Sequence, residues 1–194
     1  ITYYSAILEA KGLLPPDNGP TGTSSEQAKE FYEIGRSKIF TDSKGAIDAF
    51  SKAIEIDSNY ADAYALRGCE KTYIDDNQGA IDDYTKAIEI NPNVALWFHN
   101  RGGAKKELFD YSGAIIDYDK ELRLNPDDPN GLNERASAKL NLKDYKGAID
   151  DYTEAIKNDA YSGISEEAYA YRGIAKFRLG DNEDAISDLL EALK

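Results

Sequence analysis

A six-residue string recurs along this chain at a fixed interval, and that interval restricts the fold more than any other feature. GAIDAF, GAIDDY, GAIIDY and GAIDDY begin at Gly45, Gly79, Gly113 and Gly147, each 34 residues from the one before. A looser copy, DAISDL, begins at Asp184, 37 residues further on. A constant period in this range marks an array in which each copy is one small unit of secondary structure. Such a unit cannot bury its apolar face alone, so neighbours have to stack.

Two more markers run in phase. Asp42, Asp76, Asp110, Asp144 and Asp181 each precede the alanine of the string by four residues. Each is expected to cap a helix, its carboxylate accepting an orphan backbone N–H at the positive end of the helix dipole. Apolar residues then follow at helical spacing, as in Ala80, Ile81, Tyr84, Ala87 and Ile88. Asn91-Pro92 and Asn125-Pro126 stop two of these helices, because proline cannot extend the hydrogen-bond ladder. Upstream, Tyr64-x-x-Arg67-Gly68, Phe98-x-x-Arg101-Gly102, Leu132-x-x-Arg135-Ala136 and Tyr169-x-x-Arg172-Gly173 share one pattern. Glycine inside a helix costs about 1 kcal/mol against alanine. A small residue kept in each copy therefore predicts a helix crossing closely there. Each copy reads as helix A, a turn, an aspartate-capped helix B, and a turn to the next copy.

This pattern resembles the tetratricopeptide repeat. Counting places within a copy, that family has a large aromatic at 4, small residues at 8 and 20, an aromatic at 24, alanine at 27 and proline at 32. The second copy supplies Tyr64, Gly68, Ala80, Tyr84, Ala87 and Pro92. The third supplies Phe98, Gly102, Ala114, Tyr118 and Pro126, with Glu121 in place of alanine. The fourth has Leu132, Ala136, Ala148, Tyr152 and Ala155 without the proline, and the fifth has Tyr169, Gly173, Ala185, Leu189 and Ala192. In the first, Gly35, Ala46, Phe50 and Ala53 fit once one residue is removed from the turn. The resemblance implies an all-α fold: a right-handed α-solenoid of about five helix-turn-helix repeats, an α-α superhelix. It places repeats near 28–60, 61–94, 95–128, 129–165 and 166–194, in a domain spanning 25–194.

The resemblance also implies that A helices line the concave side, with places 2, 5, 9, 12 and 13 facing a ligand. The candidate protein-binding residues are then Tyr32 and Arg36, flanked by Lys29 and Phe40, in the first copy. Asp62, Cys69 and Tyr73 follow in the second, and Leu96, His99 and Lys106 in the third. Asn130, Asn133, Ser137 and Asn141 belong to the fourth, and Arg178 to the fifth. The middle of this stripe is amide-rich, and asparagine can pair with the backbone of an extended peptide. One sub-type of the family clamps a C-terminal carboxylate with Lys, Asn, Asn, Lys and Arg. Tyr32, Arg36, Leu66, Leu96 and Asn100 stand at those places here, so a receptor of that kind is not expected.

Charge narrows the partners. The chain has 23 basic and 36 acidic residues, a net charge of −13. It lacks the basic stripe of a nucleic-acid binder, and an anionic membrane surface would repel it. No apolar run approaches the roughly 18 residues of a membrane span. With Cys69 and His99 the only residues of their types, zinc sites of the usual composition are excluded. No phosphate loop or nucleophile motif occurs. The pairs Asp82-Asp83 and Asp150-Asp151 recur in register at the starts of B helices, which suits a solvated face better than calcium ligands. No cofactor, metal or catalytic residue is expected. The partner expected is another protein or a peptide. The alternatives are a recruitment domain of a larger enzyme or secretion machine, and a structural spacer or homo-oligomer that associates through uncapped ends. No leader of basic then apolar residues opens the chain, so a cytoplasmic location is favoured without fixing the compartment. The chain starts at Ile1 and has no methionine, as expected of a processed chain or fragment.

Two features remain. Arg67, Arg101, Arg135 and Arg172 each precede an aspartate by 16 residues: Asp83, Asp117, Asp151 and Asp188. The first copy has Ile34 and Ala49 at those places and lacks both. Joint loss predicts a structural pair joining helix A to helix B; a cationic ladder for an acidic ligand is the alternative. Residues 1–24 lie outside the repeat. Ile1, Tyr4, Ile7 and Leu8 suggest a short amphipathic helix, and the Pro/Gly/Ser/Thr-rich stretch after Gly12 suggests a linker.

Overall fold

In the computed structural model, residues 25–39, 41–159 and 164–193 are described. The helix expected within 1–24, and Phe40, lie outside them. The described residues form ten helices and no strand. They are α1 Glu26–Lys38, α2 Ser43–Ile56, α3 Ala61–Tyr73, α4 Asn77–Ile90 and α5 Ala95–Glu107. They continue with α6 Tyr111–Leu124, α7 Pro129–Asn141, α8 Tyr145–Asn158, α9 Ser165–Leu179 and α10 Asn182–Glu191. Odd-numbered helices are the A helices and even-numbered ones the B helices.

The described residues divide into two compact units, one up to Leu108 and one from Phe109 on. In the first, α1 packs on α2 and α3 on α4, while α2 meets α3 and α4 meets α5. In the second, α7 packs on α8 and α9 on α10, while α6 meets α7 and α8 meets α9. Successive A helices also touch, α3 with α5 and α7 with α9.

The turn between helix A and helix B explains why the aspartate recurs. Asp75, Phe109 and Lys143 hold φ of 63°, 62° and 64°, and Gly180 holds 93°. That left-handed residue lets the next amide turn back: Asp76 N–H donates to Lys71 O at 2.8 Å, and Asp144 N–H to Lys139 O at 2.9 Å. This bond closes helix A. The same aspartate then opens helix B, its carboxylate accepting from the amides of Gly45, Gly79, Gly113 and Gly147 at 2.9–3.1 Å. A Cβ on any of these glycines would collide with the capping carboxylate, so the glycine that opens each string follows from the cap. Asp181 occupies the cap position of α10 without a side-chain bond. The fifth copy's three extra residues precede α9. There the Asp159 carboxylate accepts from the Ser165 amide at 2.8 Å and its hydroxyl at 2.7 Å.

The small residue at place 8 does mark a close helix crossing. A Cβ on Gly35 would meet the Phe50 ring at 2.6 Å, one on Gly68 the Tyr84 ring at 3.0 Å, and one on Gly173 Leu189 at 3.0 Å. A second complementarity spans neighbouring copies. Trp97 is fully buried beside Ala87, Ala61 and Ala65, so it is a packing residue. The matching place in the next copy is Gly131, where a Cβ would lie 2.8 Å from the Glu121 carboxylate. Glu121 itself occupies the place of Ala87 and is buried. Alanine under tryptophan in one copy becomes glutamate over glycine in the next.

Two stability measurements test these readings. Gly131→Trp alone is expected to cost about 1–3 kcal/mol by overpacking, and Glu121→Ala in the same chain to recover most of that loss in urea denaturation. Phe109 is exposed and bulky in a left-handed backbone. Phe109→Gly is expected to raise stability by about 0.5–1 kcal/mol.

Candidate functional site

The repeated arginines come first, because their role decides which side chains remain for a ligand. Arg67 grips Asp83 with two bonds, from Nε at 2.8 Å and Nη2 at 2.6 Å. Arg135 holds Asp151 at 2.8 and 2.8 Å, and Arg172 holds Asp188 in the same way at 2.8 and 2.8 Å. These are side-by-side contacts between a planar fork and a carboxylate. The aspartates are buried. The arginines therefore join helix A to helix B of their own copy, as their spacing suggested.

Two further partners escaped the sequence reading. A lysine one turn beyond each arginine reaches the same carboxylate: Lys71 on Asp83 at 2.8 Å, Lys139 on Asp151 at 2.7 Å, Lys176 on Asp188 at 2.8 Å. The remaining guanidinium nitrogen, Nη1, reaches back to helix B of the preceding copy. Arg67 meets Ser51 at 3.0 Å and Arg101 meets Thr85 at 3.0 Å. Arg135 meets Asp119 at 2.7 Å and Arg172 meets Thr153 at 3.1 Å. Both sets carried a signal, since the lysines and the acceptors recur with the arginines. Burial alone would raise the Asp188 pKa, but the bonds and charges of Arg172 and Lys176 outweigh it and hold the carboxylate below its ordinary range.

With those charges assigned, the candidate residues sort by place. Place 5 is closed in three copies: Tyr32 stacks on Tyr60 at 4.8 Å, against Phe50, and is buried. Ala65 and Asn133 are buried as well. Tyr32 is thus a core residue of the first hairpin and no open contact. Its phenol is pushed up out of its ordinary range, chiefly by burial. The amide-lined stripe does not form either. Asn130 is taken up at the start of α7, its amide N–H and its Nδ2 both donating to Asp128 Oδ1 at 3.0 and 3.4 Å. Asn141 Nδ2 donates to Ser137 O in its own helix at 2.9 Å. Asn133 is enclosed, with no donor to its Oδ1 among the described residues.

The remaining candidates are more open. Cys69, half-buried, accepts from the Tyr84 hydroxyl at 3.3 Å and from Asn100 Nδ2 at 3.7 Å. Burial pushes its thiol up to about 11, so it is no nucleophile at neutral pH. Arg36 lies over the Tyr32 ring at 5.9 Å and near Glu33 at 3.7 Å. Asp62, Leu96, His99, Lys106 and Ser137 are half-buried, and Asn141 and Arg178 are exposed. Tyr73 is 61% exposed at the end of α3. Within the first compact unit, α3 and α5 adjoin and carry Asp62, Cys69, Tyr73, Leu96, His99 and Lys106. In the second, α7 and α9 adjoin and carry Ser137, Asn141 and Arg178. No group of three or more His, Cys, Asp or Glu among the described residues could hold a metal ion. No helix among them is long and apolar enough to cross a membrane.

This architecture defines an all-α repeat protein built of helix-turn-helix units. The family model "Tetratricopeptide repeat" matches residues 61–94 and 130–161, and those two segments are repeats of that family. No curated protein sequence matches it. Among solved structures it is similar to the MamA protein, at 21% identity and a TM-score of 0.81, over 87% of this chain and 91% of that one. MamA from residue 41 onward of Desulfovibrio magneticus RS-1 aligns at 14% identity and 0.81, over 88% and 96%. YrrB, a TPR protein with an unusual peptide-binding site, aligns at 17% identity and 0.78, over 99% and 91%. These likenesses show the fold.

The pH dependence of stability tests the Asp188 pair. A carboxylate held below its unfolded value near 3.9 contributes stability above that pH and loses it as pH falls through the folded value. Urea unfolding is expected to weaken below about pH 4. Asp188→Asn is expected to flatten that slope and to cost about 1–3 kcal/mol at pH 7, because Arg172 and Lys176 lose their anion.

Proposed function

We propose that this chain is a non-catalytic protein-interaction scaffold that takes a peptide or helix of a partner protein along the outer faces of its A helices. One observation carries the reading. The arginines, lysines and aspartates that repeat are occupied with holding helices together, while several of the A-helix places that vary from copy to copy stay accessible. In the first compact unit those places combine a 61% exposed tyrosine, Tyr73, with Leu96, His99 and Lys106. Aromatic side chains of this kind dominate binding energy at protein interfaces. The likeness to YrrB, which has a peptide-binding site, supports the same reading. The family's role as a non-catalytic scaffold supports it too.

Selection from a displayed library of random peptides of about 15 residues (four helical turns) tests the proposal. Wild type is expected to enrich binders, and Tyr73→Ala to weaken them about tenfold, with melting unchanged. No enrichment, or equal binding by the variant, would argue for an idle spacer.

A further inference from the structure

In the second compact unit, α7 and α9 bring two carboxylates to a pair of stacked rings. Helix α9 adjoins both α7 and α8. Place 6 of an A helix faces the preceding copy, as Asn100 shows by donating to Cys69 at 3.7 Å. In the fifth copy place 6 is Tyr171. Its ring lies nearly parallel to Tyr152, with centroids 6.2 Å apart, so the preceding copy holds it in place. Tyr171 nevertheless stays 39% exposed. Glu167 is exposed one turn earlier on α9, on the same side of the helix. Glu134, at place 6 of the fourth copy, is half-buried on α7, beside the Tyr118 hydroxyl.

A buried polar atom in the same spot points to a ligand. Tyr152 is fully buried, and its hydroxyl has no hydrogen-bond partner among the described residues. Burial pushes its phenol up most, and Tyr171, Glu167 and Glu134 push it further. Those three side chains therefore surround it, with Ser137 alongside. A donor seated between Ser137 and Tyr171 would supply the missing partner. The other cations of these helices do not neutralise the patch. Arg135 and Lys139 hold Asp151, and Arg172 and Lys176 hold Asp188. Arg178 stands two turns beyond Tyr171, about 10 Å along the helix. An aromatic face beside carboxylates suits a planar cation, which stacks on the ring and donates to the oxygens at once; an ammonium has no such plane.

We propose that this patch receives an arginine side chain of the partner protein, its guanidinium stacked on Tyr171 and donating to Glu167 and Glu134. This rests on the peptide-binding reading above and adds the chemistry of one anchor. An arginine-bearing segment also complements a chain of net charge −13.

Selection from the displayed random-peptide library on the full chain, with depletion on Glu167→Lys, tests this. The variant is expected to melt with wild type, since Glu167 is exposed. Peptides that bind wild type but not the variant are expected to emerge and to share an arginine. Replacing that arginine by lysine is expected to weaken binding about tenfold in fluorescence anisotropy. If every selected peptide binds both proteins alike, the arginine site is overturned and the peptide-binding reading stands. Discriminating peptides without a shared arginine, or a lysine peptide that binds as tightly, have the same consequence. A library that yields no binder overturns both readings.

Discussion

Arg67 makes three hydrogen bonds from one planar group. Nε and Nη2 close on Asp83, and Nη1 turns the other way to Ser51. Its plane also lies over the Tyr64 ring at 5.5 Å. A single side chain thus fixes helix A against helix B of its own copy and against helix B of the copy before. The rest of the stacking depends on that double attachment. Buried ion pairs contribute little net stability once desolvation is counted. Their geometry is demanding, however, and a slip of one residue would leave a carboxylate without its cations. The arginine therefore specifies register, while the apolar contacts supply most of the free energy.

Register is then confirmed by shape. Glycine at place 8 admits the ring at place 24, and a glycine under each capping aspartate admits its carboxylate. The exchange between Ala87 with Trp97 and Glu121 with Gly131 shows a large side chain meeting a small one in both copies, with the large one on opposite helices. A close-packed interior requires this: overfilling forces side chains off their rotamers, and underfilling leaves cavities. Glu121, a departure from the repeat pattern, is accounted for by what it covers.

The same economy defines the candidate site. Side chains that repeat are used in packing, and a partner can read only side chains that vary. Variation is necessary for a reading surface but not sufficient, as place 5 shows. Tyr32, Ala65 and Asn133 differ in every chemical respect, yet all three are buried, because successive A helices approach closely at that place. The usable surface is fullest at places 9 to 13, where Tyr73, Lys106, Ser137 and Arg178 stand, and the third copy adds half-buried Leu96 and His99.

The sequence by itself determined the period, the starts of the B helices, the close crossings at glycine and the pairing of arginine with aspartate. Each of these is local or repeats at a constant separation, so one chain carries the signal several times over. The tertiary structure decided which variable residues stay open. It turned Asn130 to the cap of its own helix, enclosed Asn133, and gave Arg67 and its counterparts their second partner on the preceding helix. It also divided the chain into two compact units between α5 and α6. The enclosure of Asn133 and the arginine's second partner depend on how closely helices approach, and that distance is set by side-chain volumes on the facing helix, such as Gly131 beneath Glu121.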